Sequence, residues 1–150
     1  MVRVLIDTGA IYALVTATDQ HHADAVDFTE KWLRRKGLFV LADLVFVEAM
    51  TLTKRRLGPA VAIRVGRELR ENPVFTWIAL TPALEQETWS VFQSYDDKEW
   101  SYTDCELLVL SKQLKLTQVF SFDDHFRQMP GIKCLPNKKR APARSQKPGN

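Results

Sequence analysis

The residues of this chain that could do chemistry are acids, and they stand where apolar runs end or helices begin. Asp7 closes the run Val2-Arg3-Val4-Leu5-Ile6, and Asp123 follows Thr117-Gln118-Val119-Phe120-Ser121. Asp104 falls in Ser101-Tyr102-Thr103-Asp104, ahead of the apolar helical pattern Leu107, Leu108, Leu110, Leu114. Glu48 borders the row Val45, Ala49, Leu52. Four carboxylates gathered at one place would repel one another, and some would take up protons. A hard divalent cation, Mg²⁺ or Mn²⁺, relieves that conflict with oxygen ligands. Such a cluster can activate water, orient a phosphodiester and stabilise the leaving oxygen, so the chemistry implied is phosphodiester hydrolysis. Each acid also has a plainer reading. Asp7 can cap the next helix, Asp104 can complete a capping box, and Glu48 can simply reach water. The residue types alone leave both readings open.

The elements that must position these acids alternate. Val2 to Ile6 reads as a short strand buried on both faces, as in parallel sheets. Ala10 to Val15 then reads as helix. Asp19 is placed to cap a helix from about Gln20 to Lys36, stopped by Gly37. Leu38 to Ala42 is a second strand, and Asp43 is placed to cap a helix from Leu44 to Leu57, closed by Gly58. Pro59 opens a helix to about Glu71, with proline at the first helical position. Val74 to Leu80 is a third strand, and Thr81-Pro82 opens a helix to about Tyr95. Ser101 opens the helix that carries Asp104. Thr117 to Ser121 is a fourth strand, and Ile132 to Leu135 is an edge strand before Pro136. This alternation predicts an α/β fold with a parallel sheet of four or five strands, strand one central and helices on both faces. Strand ends and the helix starts after them then share one edge, where ligands of such sheets bind.

Composition narrows the class. A chain of 150 residues, 45 % apolar and 26 % charged, reads as one soluble domain. No apolar stretch approaches the roughly 18–20 residues that span a bilayer, and the start shows no cleaved signal segment. The expected location is the cytoplasm. Two cysteines, Cys105 and Cys134, make neither a disulfide framework nor a zinc site. The net charge of +3 is uneven. Residues 137–150 hold Lys138, Lys139, Arg140, Arg144 and Lys147 and no acid, so residues 1–136 are close to neutral. The division is a domain over 1–136 and a basic tail over 137–150, expected to be disordered because it offers no apolar face. Deleting the tail is expected to leave the melting temperature nearly unchanged. A large drop would show that the arm is docked. His21 and His22 read as surface residues, and Trp77, Trp89 and Phe92 as core.

The order of the acidic motifs resembles a PIN-domain ribonuclease, with the VapC-type toxins of toxin–antitoxin pairs the nearest likeness. The match runs through Asp7-Thr8, Val47-Glu48-Ala49, Ser101-x-x-Asp104 and Ser121-Phe122-Asp123 ahead of Phe126, over roughly residues 1–135. The resemblance implies a three-layer α/β/α fold and a Mg²⁺- or Mn²⁺-dependent site built on Asp7, Glu48, Asp104 and Asp123. Thr8, Ser101, Ser121 and Asp124 would stand around it. It further implies an RNA substrate, a cognate antitoxin and a homodimer. Gly9 departs from the pattern, which often has a small polar side chain there, and Asp124 competes with Asp123 for the fourth place. Lys54, Arg55 and Arg56, beyond Glu48, read either as an exposed basic helix end or as contacts to an RNA backbone. The alternative function is a catalytically silent PIN fold that binds RNA or a protein. A haloacid-dehalogenase-like phosphatase would need an acid at Gly9, and a receiver domain would need an acidic pair at the first strand end.

Overall fold

The computed structural model describes residues 1–137. The expectation for the tail beyond Asn137 lies outside the described residues. The sheet has five strands: β1 (Arg3–Ile6), β2 (Leu38–Ala42), β3 (Phe75–Ile78), β4 (Gln118–Phe120) and β5 (Lys133–Leu135). Their order is β3-β2-β1-β4-β5 and every pairing is parallel, with β1 central. Val4, Leu5 and Ile6 have no exposed surface, which is why β1 reads as a continuous apolar run. Phe39, Val40, Leu41, Val119 and Phe120 join them in the core.

The helices are α1 (Thr8–Val15), α2 (His22–Arg34), α3 (Asp43–Leu57), α4 (Pro59–Glu71), α5 (Pro82–Ser94) and α6 (Tyr102–Leu114), with a 3₁₀ turn over Asp124–Gln128. α1 packs on α2 and α3, α3 on α4, and α5 on α6, which gives the three-layer α/β/α arrangement. No helix among the described residues is long and apolar enough to cross a membrane.

The strand order carries the functional consequence. From β1 the chain moves outward through β2 and β3, then returns to lay β4 on the other side of β1. The winding direction reverses between β1 and β4. A crevice opens at such a switch point, outside the carboxyl ends of the strands. Asp7 directly follows β1, and Ser121 and Asp123 directly follow β4.

Several local expectations are corrected. Asp7 occupies the N-cap position of α1 but makes no side-chain cap hydrogen bond. Asp43 is the first residue of α3 and not its cap. Its carboxylate instead accepts the Trp77 indole N–H and, at 2.7 Å, the Leu80 backbone N–H, tying α3 to the end of β3. Asp19 accepts His21 N–H at 2.8 Å, ahead of the helix start and not as its cap. His21 and His22 are half-buried. His21 stacks on Phe122 at 4.4 Å and His22 Nδ1 lies 2.7 Å from the Ala13 carbonyl. Trp89 and Phe92 are 48 % and 39 % exposed and stack on each other, on a side of α5 that its main packing partner α6 does not cover.

Candidate active site

The site is assembled from the ends of β1 and β4 and the start of α6. Ser101 caps α6 in a reciprocal box. Its hydroxyl accepts Asp104 N–H at 3.1 Å, and Asp104 Oδ2 accepts Ser101 N–H at 2.9 Å. The box fixes the Asp104 rotamer and leaves its carboxylate buried, 5 % exposed. Capping and site-building are therefore one geometry here. Oδ2 also lies 3.2 Å from His125 Nδ1.

Ser121 links the other two aspartates. Its hydroxyl donates to Asp7 Oδ2 at 3.0 Å and accepts Asp123 N–H at 3.0 Å. Asp123 Oδ1 accepts His125 N–H at 2.9 Å and lies 3.5 Å from His125 Nδ1. Asp124 points elsewhere, to Arg127 Nε at 3.2 Å, and is exposed. The candidate ligand atoms of Asp104, Asp123 and His125 all lie within 4.8 Å of one another. Asp7 stands beside this group and feels the charge of both Asp104 and Asp123.

Crowding shows in the titration of these groups. Burial first, then the charge of Asp104, pushes the Asp7 carboxyl up to about 7, against the lowering influence of the Ser121 hydroxyl. For His125, burial pulls the imidazole down. The bond to Asp104 and the charges of Asp123, Asp104 and Glu99 outweigh it, so the net shift is upward. The Thr8 hydroxyl, next to Asp7, is buried with no hydrogen-bond partner. A carboxylate that must hold a proton near neutrality, beside two more carboxylates and an orphaned hydroxyl, is an arrangement that fits a divalent cation.

Glu48 is not part of this tight group. It is exposed in the second turn of α3, between the buried Val45 and Ala49. Because α3 starts at the end of β2, Glu48 belongs to the same sheet edge, but it makes no hydrogen bond or ion pair among the described residues. A Cβ built at Gly9 would lie 3.9 Å from Asp7 Oδ2, an ordinary contact, so the missing polar side chain leaves open room beside that carboxylate. Lys54, Arg55 and Arg56 are exposed at the end of α3, with Arg56 over the Tyr12 ring at 5.2 Å.

Two residues with no part in the sequence reading emerge. His125 is one, lying between Asp123 and Phe126 of the fourth motif. The other is Glu106, fully buried one turn into α6, where the Leu44 backbone N–H only partly offsets the burial of its carboxylate. Burial, then the charge of Asp43, pushes it up to about 7. A carboxyl raised in the folded state keeps its proton to higher pH than in the unfolded chain. Its contribution is favourable at low pH and is lost as pH rises through about 5 to 7. Glu106→Gln is therefore expected to stabilise the protein at pH 8 and to have little effect at pH 4.5, read as urea midpoints. An equal effect at both values would contradict a buried, proton-holding Glu106. Cys105, in the same helix, is buried, and burial pushes its thiol up to about 11, so it is no nucleophile.

Comparison with known proteins agrees with this architecture. A family profile described as PIN domain matches residues 4–132. The chain is 24 % identical over 133 residues to the 23S rRNA-specific endonuclease VapC20 of Mycobacterium tuberculosis, covering 89 % of this chain and 98 % of that one. It is 30 % identical over 124 residues to a VapC ribonuclease of Archaeoglobus fulgidus, covering 81 % and 78 %. The crystal structure of the M. tuberculosis VapC20, described as a sarcin-ricin loop cleaving toxin, superposes with a TM-score of 0.72 at 23 % identity. It covers 81 % of this chain and 90 % of that one.

Proposed function

The chain belongs to the PIN-domain family, and from that premise we propose that it is a Mg²⁺- or Mn²⁺-dependent endoribonuclease of the VapC kind, the toxin of a toxin–antitoxin pair. One observation carries the reading: Asp7, Asp104 and Asp123 crowd together at the switch point, with Asp7 held near neutrality. Glu48, on the same sheet edge, completes the proposed four-carboxylate set. A divalent cation bound there supplies a Lewis acid for phosphoryl oxygens and lowers the pKa of water.

The chain's own residues do the rest. The α6 capping box holds the Asp104 carboxylate, the His125 backbone N–H holds Asp123 Oδ1, and the Ser121 hydroxyl holds the Asp123 backbone N–H. Ser121 orients Asp7 against them, as outer partners of metal ligands do. Asp7 gives up its proton when positive charge offsets its neighbours. Lys54, Arg55 and Arg56 contact the RNA backbone and position it without reading sequence. The working compartment is the cytoplasm, with an antitoxin as protein partner and a second copy of the chain as dimer partner. The relatives named as ribonucleases support the substrate class.

The test is cleavage of single-stranded and ribosomal RNA by the purified chain with Mn²⁺, with Mg²⁺ and with EDTA. Cleavage restricted to the metal-containing reactions supports the reading. RNA binding without cleavage in any of them favours the silent binding module.

A further inference from the structure

The sequence pattern assigns the metal to oxygen ligands alone. We propose that His125 Nδ1 is a second kind of donor at this site, a nitrogen ligand that tilts it from Mg²⁺ toward Mn²⁺ and other first-row divalent ions. The proposal rests on the metal-dependent reading given above and specifies the chemistry of its ion.

Geometry carries it. Asp123 starts the turn that continues as Asp124–Gln128, and its Oδ1 accepts the backbone N–H of His125 at 2.9 Å. That bond curls the chain so the imidazole returns over the two aspartates. Nδ1 then lies 3.2 Å from Asp104 Oδ2 and 3.5 Å from Asp123 Oδ1. Adjacent donors around an octahedral ion with bonds of about 2.1 Å are separated by about 3.0 Å. Both observed separations are within half an ångström of that spacing. His125 Nδ1 thus stands near coordination spacing from an oxygen of each aspartate, with the three groups' ligand atoms within 4.8 Å of one another, beside Asp7.

The ring binds an ion only as the tautomer with Nδ1 unprotonated, exchanging its contact with Asp104 Oδ2 for the metal. It is about one-third exposed on the open side of the cluster, so a ligand there does not disturb the core. The neighbouring Phe126 is fully buried and anchors the turn. The other two histidines are engaged elsewhere, His21 on Phe122 and His22 at the Ala13 carbonyl. Mn²⁺ shares the preference of Mg²⁺ for carboxylate, carbonyl and water, but as a first-row ion it also takes imidazole, which the later ions of the series bind more strongly still. A mixed nitrogen and oxygen set therefore gains more from Mn²⁺ than an all-oxygen set does.

The experiment uses the full chain loaded with Mn²⁺. Three-pulse electron spin-echo modulation reads directly whether a ¹⁴N nucleus is bound to the ion. Calorimetry gives the Mn²⁺ and Mg²⁺ affinities of wild type, His125→Asn and His125→Gln. The expected result is ¹⁴N modulation in wild type and none in either variant. Mn²⁺ affinity should fall on the order of tenfold or more, with a smaller loss for Mg²⁺. Three results would overturn it. Mn²⁺ bound without ¹⁴N modulation removes the nitrogen ligand and leaves the carboxylate site standing. Equal losses for Mn²⁺ and Mg²⁺ make His125 a residue that positions Asp104 and not a ligand. No Mn²⁺ binding by wild type at millimolar metal removes the metal reading itself, and this inference with it.

Discussion

Asp7→Asn is expected to abolish RNA cleavage and, at the same time, to make the metal-free protein more stable at pH 8. The two effects have one cause. Asp7 is 6 % exposed, and burial first, then the charge of Asp104 with a smaller one from Asp123, raises its carboxyl from 3.8 to about 7. The unfolded chain gives up this proton near pH 4, but the folded chain keeps it to about 7. Stability from this group is therefore full below pH 4 and is lost as pH rises toward 7. The shift of about three units sets an upper bound of about 4 kcal/mol at pH 8. An uncharged Asn removes that penalty while still offering an oxygen to the Ser121 hydroxyl. The check is urea unfolding of both proteins with EDTA at pH 5 and pH 8, with the advantage of the variant growing between them. Loss of one ligand should cost several kcal/mol of transition-state stabilisation, or at least about 10²-fold in rate. If Asp7 only began α1, Asn would serve about as well as Asp, and both stability and cleavage would be unchanged.

Asp104→Asn separates the two roles that meet at the start of α6. Its carboxylate closes the capping box with Ser101 and also faces His125. Asn retains a side-chain oxygen for the Ser101 N–H, so the structural loss should be at the low end of the ~0.5–2 kcal/mol of a lost cap. The catalytic loss should again be at least about 10²-fold. Measured together, Tm and metal-dependent cleavage should show a nearly intact fold with an inactive site. A destabilised protein that cleaves at the wild-type rate would remove Asp104 from the site and leave it a cap.

The fold was legible because its signals are local. Val4-Leu5-Ile6 and Phe39-Val40-Leu41 can only be buried strands, and Gly58-Pro59, Thr81-Pro82 and Ser101-x-x-Asp104 punctuate the helices in their own sequence. Asp7, Asp104 and Asp123 were legible for the same reason, since each falls at or next to an element boundary, whereas Glu48 lies in the second turn of α3. What escaped depends on contacts distant in sequence. Asp43 looks like a cap until Trp77 and Leu80 arrive from more than thirty residues away. Glu106 looks like a solvent-facing helix residue. However, α6 is buried from Thr103 to Ser111, covered by more than the sheet, and its polar side has no water to face. His125 follows Asp123 by two residues, but nothing local says that the 3₁₀ turn brings its ring toward Asp104, twenty-one residues earlier. Trp89 and Phe92 have core-like spacing, yet periodicity does not tell how wide the covering layer is.

The central claim is that Asp7, Glu48, Asp104 and Asp123 gather around a divalent cation at the end of β1 and β4. Its most direct test is an anomalous difference map from crystals of the protein soaked in Mn²⁺. The account predicts a peak within bonding distance of carboxylate oxygens from Asp104 and Asp123, with Asp7 and Glu48 turned toward it directly or through water. A Mn²⁺ peak elsewhere, or a fully soaked crystal with no peak at these carboxylates, would contradict it.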